Sequence, residues 1–181
     1  TVFSSIEAGI PNGIAIEFGL DCLSFTPANP GDKGSATVVL TECFFAPVTV
    51  SGEISATWDF SDPVNSNLHI TGDLTISVNG DTISVSEIDY SYAYKDDGVT
   101  STFTTSIAYT LSSEIFGGFI VQTPVAITDS YNYTTLESIY GGQIVLTGAN
   151  NSQIRINFPA GTLELDSEGD GSFIPLEGVA F

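Results

Sequence analysis

Across residues 68–111 apolar and polar side chains alternate with a period of two, regularly enough to fix strand register. Leu68, Ile70, Leu74, Ile76 and Val78 share one face of an extended strand, with Thr75 and Ser77 on the other. Asn79-Gly80 follows, a pair that tolerates the positive φ of a type I′ turn and therefore predicts a two-residue hairpin. Such a turn sets Ile76 opposite Ile83 and Leu74 opposite Val85. Beyond it the phase slips by one, because Ile88, Tyr90, Tyr92 and Tyr94 fall at even positions whereas Ile83 and Val85 are odd. A β-bulge at Ser86-Glu87 repairs the slip, placing Tyr90 opposite Ile70 and Tyr92 opposite Leu68. A turn over residues 95–98 reverses the chain again and returns Phe103, Ile107, Tyr109 and Leu111 to the same face.

The rest of the chain follows the same grammar. Ile14, Ile16, Phe18 and Leu20 alternate toward Cys22, and residues 27–34 are loop by composition. A strand over residues 35–45 turns at Ala46-Pro47 into a long one carrying Val48, Val50, Ile54, Ala56, Trp58 and Phe60. Gly52 interrupts that row and marks a bend or a close approach. Residues 112–118 are compatible with a short helical turn. Phe119, Val121, Val125 and Ile127 predict a strand in which Pro124 signals an edge position or an irregularity. Tyr131 and Tyr133 continue an alternation through Leu136. Gly141-Gly142 then opens a last hairpin, with Ile144 and Leu146 opposite Ile156 and Ile154, and Leu163 and Leu165 form a final strand. About ten strands and no persuasive amphipathic helix predict an all-β antiparallel meander in one domain over residues 1–181: a curved sheet, a β-sandwich or a half-barrel. One face is oily and the other rich in Ser and Thr, so the sheet must curl or find a second layer.

Charge changes the picture more than hydropathy does. Three basic residues, Lys33, Lys95 and Arg155, stand against 22 acids, for a net charge of -19 over 181 residues. Such a surface repels nucleic acid and anionic lipid, so we expect no nucleic-acid partner, and cations are its natural counter-ions. No run approaches the ~20 apolar residues of a membrane helix, so no transmembrane segment is expected. The chain has no Met, at position 1 or elsewhere, from which we expect removal of a signal or anchor segment. Cys22 and Cys43 each sit in a strand-like setting rather than in a C-x-x-C pair, which suits one disulfide in an exported protein, with two buried thiols as the alternative. Closing that loop stabilises by ~3 kcal/mol in the chain-entropy model.

Candidate chemistry is thin. Asp166, Glu168, Asp170, Gly171 and Glu177 match positions one, three, five, six and twelve of a calcium loop, making Ca2+ the one cofactor the sequence suggests; a solvated acidic turn is the other reading. Glu at the third place, a strand entering the loop and Pro175 within it depart from that pattern. Tyr90, Tyr92 and Phe103 form either a ligand face for a lipid or carbohydrate or ordinary core. The single histidine, His69, faces the polar side with no positioned nucleophile, and with one Arg and two cysteines the chain is not expected to be an enzyme. Asn132 and Asn150 match the glycosylation acceptor pattern.

The run from Gly34 to Trp58 (GSATVVLTECFFAPVTVSGEISATW) with the earlier Cys22, the GQIVLTG of residues 142–148 and the LDSEGDG of residues 165–171 resemble exported proteobacterial lipoproteins of unassigned function. The resemblance implies a place in the cell envelope or outside the cell, and no particular activity. No lipid-anchoring cysteine stands at position 1.

Val2, Phe3 and Ile6, in residues 1–9, form an apolar run with no hairpin partner, which we read as an exchanged or docking strand. The leading expectation is an extracellular or cell-surface structural protein that binds copies of itself as a filament or surface-layer subunit, by strand donation. Its rival is a monomeric envelope module binding a lipid, a carbohydrate or another apolar ligand.

Overall fold

In the computed structural model, residues 22–28, 31–115, 117–158 and 160–176 are described, and they form one antiparallel sheet. Its strands are β1 (Leu23–Ala28), β2 (Lys33–Phe45), β3 (Val48–Asp62), β4 (Asn65–Val78), β5 (Asp81–Asp96), β6 (Thr100–Ser113), β7 (Gly117–Asn132), β8 (Glu137–Thr147), β9 (Gln153–Asn157), β10 (Thr162–Asp166) and β11 (Ile174–Pro175). Each pairs with its neighbours in sequence, and the sheet stays open rather than closing into a barrel. The expected all-β meander is therefore correct. The strand expected over residues 14–20 and the docking segment of residues 1–9 lie outside the described residues.

Register in the central strands follows the alternation. Asn79 and Gly80 take φ of 51° and 85°, and Ile76 faces Ile83, Leu74 faces Val85, Ile70 faces Tyr90 and Leu68 faces Tyr92. The bulge falls where the phase slip demands it: Glu87 has φ 57°, and its amide donates to the Asp73 carboxylate at 2.8 Å, which replaces the interrupted ladder bond. The break at Gly52 is a close approach. A Cβ there would lie 2.2 Å from the Asp73 carbonyl oxygen, and one on Gly72 would lie 2.1 Å from that of Glu53, so two glycines let the paired backbones of β3 and β4 approach closely.

Two local expectations need correction. Residues 114–115 form a plain turn rather than a helical one, because β6 continues to Ser113. Tyr133 does not extend a strand through Leu136. Asn132 ends β7, its side-chain oxygen accepting the amides of Thr134 (2.8 Å) and Thr135 (3.0 Å), so residues 133–136 turn and β8 starts at Glu137, running through Gly141 and Gly142. Pro124 marks an irregularity, not an edge: β7 lies between β6 and β8, and its register with β8 shifts on both sides of Val125.

Among the described residues packing is lateral, within one layer. Ala36, Trp58 and Leu68 are the buried centre, with Phe25, Ala56, Phe60, Ile70, Tyr90 and Tyr92 around them. The Trp58 indole N–H donates to the Gly31 carbonyl at 2.8 Å, tying the approach to β2 onto that cluster. Among the described residues only Cys43 and Val121 are further buried apolar side chains, so most of the oily face is half-covered by its own neighbours. Cys22 and Cys43 form the expected disulfide, with a Cα separation of 5.1 Å, holding the entry to β1 against β2.

Candidate functional site: an unpaired sheet edge beside an aromatic strip

The most distinctive feature is where pairing stops. Along one side β8 is bonded to β7 over most of its length, with Glu137 opposite Asn132, Ser138 opposite Tyr131, Ile139 opposite Ser130, Tyr140 opposite Asp129 and Gly141 opposite Thr128. Along the other side β9 covers only residues 143–147. The Gly142 carbonyl accepts the Phe158 amide at 3.1 Å, and there the chain leaves the sheet. Residues 137–141 therefore present an outer edge with no strand partner among the described residues. Here too lie some of the most exposed apolar side chains: Leu136 at 70%, Ile139 at 68% and Tyr140 at 59%. An apolar edge of this kind is a template for another strand; Glu137 at its start is the one charged residue on it, and among the described residues no lysine, proline or covering loop stands on it.

The face that carries Tyr140 also carries an aromatic strip. Tyr94 stacks tilted on Phe103 at 4.8 Å between centroids, Tyr92 reaches Phe103 at 6.1 Å, and Tyr131 meets Tyr133 edge-on at 5.6 Å. Asp96 joins these groups, accepting the hydroxyls of Tyr94 at 3.1 Å and Tyr133 at 2.8 Å. Burial and then the Asp96 carboxylate push the Tyr94 phenol up to about 12, while the Gly98 amide and the Tyr133 hydroxyl hold Asp96 below its ordinary value. The expected ligand face divides accordingly. Tyr90 and Tyr92 pack against the core cluster, whereas Phe103 is 40% exposed.

The opposite face is polar. Thr37 bonds Ser55 at 3.0 Å, Ser91 bonds Ser106 at 2.5 Å and Thr102 bonds Ser130 at 3.1 Å across neighbouring strands. His69 sits on this face as expected, 2.9 Å from Asp89, and the bulges beside Asp89 and Thr123 leave a shallow polar hollow of about 340 Å³. The cross-strand neighbours of His69 are Thr57 and Ser91.

Asp166 has a specific job. It is 2% exposed, and its two carboxylate oxygens accept the amides of Glu168, Gly169, Asp170 and Gly171 at 2.8–3.4 Å, closing the acidic loop. Burial opposes its ionisation, but those amides outweigh it and keep the carboxyl below its usual value. The aspartate thus binds backbone donors, and among the described residues it forms no metal cluster with Glu168 and Asp170. Glu177, the fourth ligand of the calcium pattern, lies outside the described residues.

Asn132 and Asn150 both lie at turns, Asn132 as the cap described above and Asn150 exposed with φ 56°. No helix among the described residues is long and apolar enough to cross a membrane. Sequence reading missed the free edge because Gly141-Gly142 resembles a hairpin opening; Asn132 followed by Thr134 and Thr135 was the available turn signal. No family model, curated protein or solved structure matches this chain.

Proposed function

We propose that this chain is a non-enzymatic extracellular or cell-surface structural protein that works by self-association, as a filament or surface-layer subunit, with residues 1–9 donated as a strand to a neighbouring copy. The observation that supports this reading is the open sheet with an exposed apolar edge at residues 137–141. Added strands bind through main-chain hydrogen bonds, which need no catalytic groups, and alternate side chains supply the selectivity. The Cys22–Cys43 disulfide suits an oxidising compartment. With a net charge of -19, copies repel at long range, so assembly should strengthen as salt rises. Deleting residues 1–9 tests the donor: the shortened protein should keep its far-UV spectrum and melting temperature and lose polymer growth. Polymers of normal length from it would refute strand donation.

The exposed strip around Phe103 favours a second reading, a module that binds an apolar or carbohydrate ligand on its aromatic face. A monomeric wild type whose Phe103→Ala variant loses binding to oligosaccharides or lipid vesicles would select it.

A further inference from the structure

We infer that residues 137–141 of β8 are a two-fold interface, pairing antiparallel with the same five residues of a second copy. This rests on the self-association reading and names one of its joints, separate from the one that takes the donated strand: the outer edge of the sheet along β1 is left for residues 1–9 of a neighbour. Because the outward Gly142 carbonyl is already taken by Phe158, the free window runs from Glu137 to Gly141 and its midpoint is Ile139. A two-fold axis normal to the sheet leaves each side chain on its own face, so only registers that match like faces are allowed. Centring on Ile139 satisfies that condition and uses the whole window.

In this register Ile139 meets Ile139 of the second copy, Ser138 meets Tyr140, and Glu137 meets Gly141. Each large side chain faces a small one, with an apolar contact on the axis. The chemistry therefore fits a second copy of this strand. Charge permits it as well. Residues 138–141 carry none, and the two Glu137 carboxylates end at opposite ends of the pairing, four residues apart. At ~3.4 Å per residue that is ~14 Å, beyond the ~10 Å screening length at 0.1 M salt. The long-range repulsion of two acidic chains remains, and salt relieves it.

The test uses the full chain and three variants. Ile139→Cys should oxidise to a covalent dimer, since paired residues sit ~4.5–5.5 Å apart at Cα, within disulfide range. Thr82→Cys, exposed on β5 away from the edge, should not. The double variant Ile139→Lys/Tyr140→Lys should keep the wild-type melting curve, because both side chains are exposed, yet lose the joint. With residues 1–9 deleted, the remaining species should be a dimer that this double variant reduces to monomer. If the wild type assembles while Ile139→Cys fails to cross-link and the lysine variant assembles equally well, this interface is wrong and self-association stands. If the wild type is monomeric at every concentration and salt, both fall. Protection, in a monomer, of those amides of residues 137–141 that point away from β7 would show the edge covered by the chain itself, which also overturns the interface.

Discussion

Replacing Trp58 probes how much stability the lateral packing of β2–β4 supplies. Its indole is 6% exposed between Ala36 and Leu68, and its N–H bonds the Gly31 carbonyl. A tryptophan buries ~150–250 Å², which at ~25 cal/mol per Å² corresponds to ~4–6 kcal/mol as an upper bound. Large-to-small core changes of this kind cost ~3–5 kcal/mol. In a one-layer sheet the lost volume opens to water rather than leaving a sealed cavity, so the lower end applies, and Trp58→Ala should cost about 3 kcal/mol. Trp58→Phe keeps a ring in place and loses chiefly the hydrogen bond, for about 1 kcal/mol. Urea unfolding followed by far-UV circular dichroism reads both, with the slope unchanged if the unfolded state is unaffected. A cost below about 1 kcal/mol for Trp58→Ala would refute the view that the β2–β4 cluster is the centre of stability.

Other perturbations separate further parts of the account. Gly72→Ala forces a methyl to within 2.1 Å of the Glu53 carbonyl oxygen at φ 154°, so it should destabilise by at least ~1–3 kcal/mol in the same assay, whereas Ser84→Ala on β5 should be near neutral. Removing the disulfide by Cys22→Ser/Cys43→Ser should cost ~3 kcal/mol in the chain-entropy model, read as a lower urea midpoint. Asp166 has a folded pKa below its ordinary 3.8, so its contribution is present above that value and lost as pH falls through the folded one. The melting-temperature gap between wild type and Asp166→Asn should therefore be largest above the ordinary 3.8 and shrink as pH falls below it; a gap independent of pH would remove the loop-closing role. A chelator should leave wild-type melting unchanged if backbone amides alone satisfy Asp166, and a fall would place calcium at that loop.

How much of this was legible depended on whether two neighbouring strands both carried signal. Between residues 68 and 111 they did: Asn79-Gly80 fixed the turn, alternation fixed the faces, and the slip at Ser86-Glu87 had one repair, which Glu87 adopts. Cys22 and Cys43 were paired for similar reasons of setting. The β7–β8 turn was hidden because residues 133–136 contain no Gly, Pro or Asp, and Leu136 takes φ 59° under the cap from Asn132. Misplacing that turn concealed the free edge. Spacing alone does not reveal backbone donors, so the amides that the Asp166 carboxylate accepts in its loop were not legible in the sequence. Alternation also identifies an oily face without saying what covers it.

The central claim is that an open sheet with an apolar, strand-ready edge completes itself with other copies. Sedimentation of the intact oxidised protein over a range of concentration and salt tests it most directly. The account predicts species heavier than one chain that grow with concentration and are favoured by salt. A single species of one-chain mass under all these conditions would contradict it.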